Sequence, residues 1–457
     1  MYRIILSLLF SFSFVWASLV GSNYNQRDLL VLKELDIDAA YITDYKLQKT
    51  YSRFLNNAQT KYIEKLNDAS LFVPKIKEIL REENMPSSFI YLAMAESYLN
   101  LNAYSSARAA GLWQFIPRTG RNYGLKNNLY VDERLDFVKS TYAASKYLKY
   151  LHRKFGKWYL AAIAYNCGEG RVIEAITRAT IDMYVADKGR NYNKKQIQQF
   201  RKTIKDYQKK RVRFKELYKV YKVVRTWNYK PDVNELLTVQ KGLRRQYLPR
   251  ESRGYIRKII SLGFMNNREF ISTASNSHLL NIGSSTSIAT IYVKGGMHLK
   301  NIAQVVGIEY KELSNLNRHI RRNIIPYESK AYPLYIPYSR LARFNANKGS
   351  LKKSSFAVHI VKRGDTLGKI GEKYKVSYNV IKKYNKLKSN FLSINQKLVI
   401  PVAVEYVAMK PKFYLVKSGD TLDAISKRYK IDLNKLMKDN NKRTSLINIG
   451  DKIVINN

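Results

Sequence analysis

From about residue 28 to 180 apolar residues recur at three- and four-residue spacing, the period of helices that bury one face. The segments 141–151 and 159–165 are also rich in alanine, and Pro74, Pro86 and Pro117 punctuate the run. The pattern predicts a mainly α domain over 28–265 with its motif core at 80–180. A very basic stretch follows, 188 to about 225, in which Phe200, Ile204, Tyr207, Phe214, Leu217, Tyr218 and Tyr221 keep roughly helical spacing. It predicts one or two amphipathic helices with a solvated cationic face, inside an insertion over about 186–245. A serine-rich break at 272–287 is expected to be the main domain boundary.

Beyond the break the chain repeats itself. One copy begins Val361-Lys362-Arg363-Gly364-Asp365-Thr366-Leu367 and continues through Ile370, Tyr374, Val376, Asn385, Leu398, Ile400 and Pro401. The next begins Val416-Lys417-Ser418-Gly419-Asp420-Thr421-Leu422 and places Ile425, Tyr429, Ile431, Asn440, Ile453 and Ile455 at matching offsets. A degenerate copy starts at Val293 with Gly296, Met297, His298 and Leu299, then Ile302, Ile308, Asn317, Ile336 and Pro337. Alternating ends around a capped middle predict small α+β units, strand, helix, helix, strand (βααβ), at 291–337, 357–401 and 413–456. Gly364 permits the turn from strand to helix, and Asp365 or Thr366 is suited to cap that helix. These copies resemble LysM modules, which bind N-acetylglucosamine-containing glycans in a groove between the Gly-Asp-Thr-Leu turn and the loop after the second helix. The resemblance implies glycan binding by Gly364, Asp365, Thr366, Gly419, Asp420 and Thr421, with a purely structural repeat as the alternative. It is not expected of the first copy, where Met297 and His298 replace Asp and Thr. The basic, serine-containing stretch 345–355 reads as a flexible link.

A length of 457 residues already requires more than one core. At the N-terminus Arg3, the apolar run 4–15 and Ala17 have the layout of a secretory signal, segment 1–17, with cleavage expected after Ala17. A buried helix or an uncleaved anchor is the alternative. The only cysteine is Cys167, so no lipoprotein cysteine follows the apolar run, and the fold has no internal disulfide to rely on. The formal net charge of +46 suits nucleic acid. Export argues against that partner and in favour of a periplasmic protein facing carboxylate-rich wall peptides or, peripherally, an anionic membrane surface.

The candidate chemistry lies in Ser88-Phe89-Ile90-Tyr91-Leu92-Ala93-Met94-Ala95-Glu96-Ser97, a helix whose apolar residues surround one carboxylate. Burial penalises its charged form, so Glu96 is expected to hold a proton to higher pH than a free glutamate, as a general acid must. Glu96-Ser97 is followed by Ser105, by Gly111-Leu112-Trp113-Gln114 and by Ala164-Tyr165-Asn166-Cys167-Gly168. Together these resemble the soluble-lytic-transglycosylase family. Gly120-Arg121-Asn122-Tyr123-Gly124-Leu125, Asp132-Glu133-Arg134 and Leu248-Pro249-Arg250-Glu251-Ser252-Arg253 point to its membrane-bound lytic murein transglycosylase D branch.

The resemblance implies an all-α, lysozyme-like fold and cleavage of the β-1,4 bond between N-acetylmuramic acid and N-acetylglucosamine in peptidoglycan, without cofactor or metal. It makes Glu96 the sole general acid/base. Glu96 protonates the bridging oxygen, then deprotonates the muramoyl 6-hydroxyl to leave a 1,6-anhydro end, so no second carboxylate has to activate water. Tyr165 and Asn166 are implied to assist catalysis, and Ser105 and Gln114 to hold saccharide. Arg108 departs from the glycine of many relatives, and Cys167 from their alanine or serine. The basic insertion is longer than the usual connection. Two other readings compete: a lysozyme-type hydrolase using water and a second carboxylate from Asp132, Glu133, Glu169 or Glu251, and a non-enzymatic wall-binding scaffold.

Overall fold

The computed structural model describes residues 24–128, 130–273, 287–321, 323–326, 329–351, 356–374, 376–401, 412–429, 431–440, 442 and 444–455. The expected signal segment and most of the serine-rich break lie outside them. The helical domain opens with α1 (Gln26–Glu34), α2 (Tyr45–Asn57), α3 (Gln59–Ala69) and α4 (Val73–Glu82). Its motif core is α5 (Phe89–Ser97), α6 (Pro117–Asn122), α7 (Phe137–Phe155), α8 (Trp158–Cys167) and α9 (Glu169–Lys188). The domain closes with α10 (Lys194–Gln208), α11 (Phe214–Val224), α12 (Val233–Leu237), α13 (Arg250–Asn266) and α14 (Glu269–Ser272).

Side-chain caps fix several of the helix starts. Asn25 and Asp28 form a reciprocal capping box on α1, Asp44 accepts from the Leu47 N–H, and Asp136 accepts from the Val138 and Lys139 N–H groups. The short helices α5 and α8 are apolar on nearly every side, and both run through the interior. Late in the chain α13 returns to pack on α1, α2, α5 and α8. Two helices, α10 and α11, form from the basic stretch. They pack on α9 through a cluster of their own that includes Ile173, Ile181, Ile197, Ile204, Leu217 and Val224. That contact is pinned by Glu174, almost fully buried, which accepts from Arg171 at 2.6 Å, Gln208 at 2.6 Å and Arg245 at 3.4 Å.

The three repeats are βααβ units, as their spacing predicts. The first runs β1 (Ile288–Val293), α15 (Leu299–Val306), α16 (Tyr310–Leu316) and β2 (Tyr332–Pro337), followed by α17 (Leu341–Asn347). The second is β3 (Phe356–Ile360), α18 (Leu367–Tyr374), α19 (Tyr378–Tyr384) and β4 (Lys397–Pro401). The third is β5 (Lys412–Leu415), α20 (Leu422–Tyr429), α21 (Leu433–Asp439) and β6 (Lys452–Ile455). In each unit the two strands pair antiparallel. The asparagine at a matching offset in each copy joins helix to strand. Asn385 donates to the Ile381 and Val399 carbonyls and accepts from the Val399 N–H, and Asn317 and Asn440 repeat the pattern on Tyr335 and Val454.

Two expectations need correction. The chain divides into compact units at Leu351 rather than at 272–287, the second unit beginning at 352 and also taking in Gly296–His298. The first repeat belongs with the helical domain because it is bonded to it. Tyr335 donates to Asp136 at 2.8 Å, Val131 bridges Ile320, the Lys139 ammonium lies 4.7 Å from the Tyr332 ring centroid, and Ser287 donates to the Leu71 carbonyl. Serine content marks a connection there, not an end of packing. The first half of the expected flexible link 345–355 is instead helical, occupied by the end of α17 and a 3-10 turn at Lys348–Ser350, and 352–355 lie outside the described residues.

His319 lies in this contact, fully buried, and neither ring nitrogen has a hydrogen-bond partner among the described residues. Burial pushes its pKa below the ordinary 6.5, with the Asp136 carboxylate, 3.7 Å away, pulling the other way. The folded state therefore keeps His319 neutral at a pH where the unfolded chain protonates it, so stability falls as pH drops through and below 6.5. Thermal unfolding of wild type and His319→Leu at pH 7 and pH 5 should show the smaller acid loss in the variant.

Candidate active site

The apolar helix α5 ends one residue after Glu96. Tyr98 and Leu99 then adopt left-handed φ of 52° and 60°, an uncommon pair for residues with a Cβ, and turn the chain away. Ser97 ties the helix end to the next wall by donating to the Leu112 carbonyl at 2.9 Å. Glu96 is half-buried. Its Oε1 accepts from the Tyr255 hydroxyl of α13 at 2.5 Å, in the range of a charge-assisted bond. One turn further along α13, the Lys258 ammonium donates to the Ala95 carbonyl at 2.6 Å and so occupies the carbonyl end of α5.

Desolvation raises the Glu96 pKa above the usual carboxylate value; the Tyr255 bond and the Lys258 charge oppose it, and the Glu251 carboxylate adds to it. The tyrosine hydroxyls at the site are pushed the other way from ionisation. Burial and the neighbouring Glu96 charge raise both Tyr255 and Tyr165 well above the ordinary phenol value, so both act as hydroxyls.

Of the residues singled out in the sequence, Tyr165 and Asn166 come to the site together near the end of α8. Tyr165 does not bond Glu96. Its hydroxyl donates to the Trp113 carbonyl at 2.6 Å, and its ring packs against Phe115 and Tyr147. Asn166 accepts from Ser252 of α13 at 2.9 Å. Gly168 breaks the chain between α8 and α9 with φ 87° and ψ 148°, a conformation nearly confined to glycine. Cys167 is half-buried, and burial raises its thiol pKa, which disfavours the thiolate.

Ser105 and Gln114 lie on a small looped wall, 103–116, held by bridges from Tyr104 to Ala110 and from Ala110 to Phe115. Ser105 accepts from the Ala109 N–H at 3.0 Å, and Gln114 donates to the Gly111 carbonyl at 2.8 Å. Gly111 has φ 77°, and a Cβ there would meet the Arg134 carbonyl oxygen at 2.0 Å, so only glycine fits. Arg108, also left-handed at φ 61°, sits where glycine is the easier residue.

The carboxylates offered as a second catalytic group separate by environment. Asp132 is paired with Arg134 and Arg321, Glu133 with Lys139, and Glu169 with Lys154. Glu251, exposed on the first turn of α13, is the member of the four whose charge reaches Glu96. Tyr255 and Lys258 escaped the sequence reading, and Ser252 entered it as a motif position without a role. The motif beginning at Leu248 marked the right helix but stopped at Arg253. A cavity of about 1050 Å³, lined by Ile37, Tyr159, Tyr221 and Val233 among others, contains none of these site residues.

In the two C-terminal repeats Asp365 and Asp420 close the turn by accepting from the Lys362 and Lys417 N–H groups, and also bond His359 and Tyr414. Thr366 and Thr421 accept from the Lys369 and Ala424 N–H groups and cap the first helix. Beside each turn, the loop after the second helix exposes a matching apolar pair, Phe391 and Ile394 in one copy, Leu446 and Ile449 in the other. The turn and loop are joined by Asn395 N–H to Val361 O and Gly450 N–H to Val416 O.

Comparison with known proteins agrees with this layout. The family described as Transglycosylase SLT domain matches residues 74–182, Lytic transglycosylase MltD, LysM-like domain matches 287–353, and LysM domain matches 359–401 and 414–456. The chain is 25% identical over 396 residues to the membrane-bound lytic murein transglycosylase D of Escherichia coli, covering 82% of this chain and 74% of that one. It is 25% identical over 183 residues to the N-acetylmuramoyl-L-alanine amidase sle1 of Staphylococcus aureus, covering 37% of this chain and 54% of that one. The crystal structure of the Bacillus cereus spore cortex-lytic enzyme SleL overlaps 22% of this chain and 23% of that chain at 26% identity and a TM-score of 0.11, too slight to bear on the fold. The domain content is that of a peptidoglycan lytic transglycosylase.

Because the Glu96 pKa is raised on folding, its contribution to stability is fully present below the unfolded pKa and is lost as pH rises through the folded one. Glu96→Gln removes that cost while its amide oxygen can still accept from Tyr255. Its thermal midpoint should exceed that of wild type at pH 7, with the gain shrinking towards pH 4.

Proposed function

Taking the chain as a peptidoglycan lytic transglycosylase, we propose that Glu96 is its single general acid/base and that cleavage leaves a 1,6-anhydromuramic end. The observation that carries this reading is the Glu96 carboxylate, half-buried, raised in pKa by desolvation and held through Oε1 by Tyr255. Oε2 makes no hydrogen bond to the described residues and is free to carry the proton. That proton passes to the oxygen bridging N-acetylmuramic acid and N-acetylglucosamine as the glycosidic bond breaks. Glu96, now a carboxylate, then accepts the proton of the muramoyl 6-hydroxyl as its oxygen bonds to the anomeric carbon. Tyr255 orients the acid and strengthens its bond when Glu96 becomes charged. Tyr165 and Asn166 build the floor through Trp113 and Ser252, and Ser105 and Gln114 hold saccharide on the looped wall. A hydrolytic reading is left with Glu251 as its water-activating group, since the other three carboxylates are tied up in ion pairs.

Product analysis of digested wall by mass spectrometry tests the assignment. Wild type should release anhydro ends, and Glu96→Gln should lose them by roughly 10²–10⁴-fold. Tyr255→Phe should lower kcat by about 10-fold or more with a smaller change in KM, since it removes one bond to a charged group. Reducing muramic ends that disappear in Glu251→Gln would establish hydrolysis instead.

We place the enzyme outside the cytoplasm, in the periplasm, with the cationic faces of α10 and α11 making peripheral contact with an anionic membrane surface. In the two C-terminal domains glycan lies between the turns at Gly364-Asp365-Thr366 and Gly419-Asp420-Thr421 and the exposed pairs Phe391/Ile394 and Leu446/Ile449. Aspartate and threonine shape that groove while their side-chain oxygens serve the turn. Two weak sites on one chain raise the local concentration of catalytic domain at the wall. A chain ending at Leu351, which keeps the first repeat with its helical partner, should bind purified wall poorly, whereas the full chain should stay bound at moderate salt. Equal retention of both, or release of the full chain by salt alone, would assign the anchoring to charge.

A further inference from the structure

The wall that carries Ser105 and Gln114 is held from outside the helical domain. Arg321 lies between α16 and β2 of the LysM-like domain. One of its guanidinium nitrogens donates to Asp132 Oδ2 at 2.9 Å and the other to the Asn128 carbonyl at 2.9 Å. The Arg321 backbone N–H donates to the Tyr130 carbonyl at 2.7 Å, beside the bridge between Val131 and Ile320. The Tyr104 hydroxyl, on the residue before Ser105, lies within electrostatic reach of its guanidinium.

Asp132 relays this grip inward. It is fully buried and binds Arg134 through both carboxylate oxygens, at 2.9 and 2.8 Å. Arg134 donates its remaining nitrogen to the carbonyls of Arg108 at 2.7 Å and Phe115 at 3.0 Å, one in the middle and one at the end of the wall. The backbone of Arg134 is the surface against which Gly111 packs. Three planar groups in series therefore connect Arg321 to a wall that holds three left-handed residues, Arg108, Gly111 and Gln114.

We propose that Arg321 of the LysM-like domain is a positioning residue for substrate binding, fixing the 103–116 wall through Asp132 and Arg134. The proposal rests on the reading that this wall holds saccharide. Only a forked cation can serve Asp132 and Asn128 together; a lysine supplies a point charge that reaches one of them well. Without Arg321, Asp132 keeps both bonds to Arg134, so no buried charge is stranded and the fold survives. Glu96 and Tyr255 lie on α5 and α13, and none of these bonds touches them. The loss should fall on KM rather than on kcat.

The test uses the full chain and soluble glycan strands, with kcat, KM and thermal midpoint measured separately. Arg321→Met should raise KM by about 10-fold with kcat within about two-fold, and Arg321→Lys should recover part of that loss. A wild-type KM in Arg321→Met overturns the proposal, and so does a joint fall of kcat and thermal midpoint that Arg321→Lys does not relieve. Should Arg321→Met fail to fold, an unchanged KM in Arg321→Lys overturns it equally. Gln114→Ala separates the two readings. If it leaves KM unchanged, the saccharide wall itself is refuted; if it raises KM while Arg321→Met does not, only the role of Arg321 is.

Discussion

A carboxylate kept out of water at a helix end, beneath a tyrosine hydroxyl, is the constraint around which the helical domain is arranged. Glu96 sits near the carbonyl end of α5, where the helix dipole and burial both disfavour its charge. Neither effect could be tolerated without a partner for the ionised form. That partner comes from α13, 159 residues later in the chain, as Tyr255, and the neighbouring Lys258 takes up the Ala95 carbonyl. Docking α13 across α5 and α8 is thus both the closing step of the core and the assembly of the site.

Acidic side chains elsewhere in the domain show the opposite treatment. Asp132, Glu133 and Glu174 are all deeply buried, yet each is paired with arginine or lysine. Glu96 is given a hydroxyl in contact and an ammonium at longer range. The difference in partner, not in residue type, separates a structural carboxylate from one able to trade a proton.

Much of this was legible before any coordinates. A single glutamate inside an apolar helical run announces its own desolvation, and the repeats declare themselves by offset alone. What stayed hidden depends on contacts across long stretches of chain. Tyr255 reads as one more core position on α13, because its hydroxyl acquires meaning only beside Glu96. The motif implies that Tyr165 assists catalysis but not through which atom, and its hydroxyl serves the Trp113 carbonyl. The serine run at 272–287 looked like a boundary since composition reports solvation of the chain, while the contacts of Tyr335 with Asp136 and of Arg321 with Asp132 carry the LysM-like domain into the same unit. Arg321 has no pattern around it at all; it is an exposed arginine until its acceptors are seen.

The asparagine staple in each βααβ unit has a consequence for how these units change over time. One side chain, Asn317, Asn385 or Asn440, satisfies backbone groups of both the second helix and the last strand, so the joint most costly to leave unpaired depends on a single position. The turn beside the glycan groove lies outside that joint. Its residues can drift without unlatching the unit, and the first copy shows the outcome: Met297 and His298 have replaced Asp and Thr, yet Asn317 still closes the fold. A unit latched in this way can lend its surface to a neighbour, and the first copy does so, offering Arg321 and Tyr335 as masonry to the helical domain beside it.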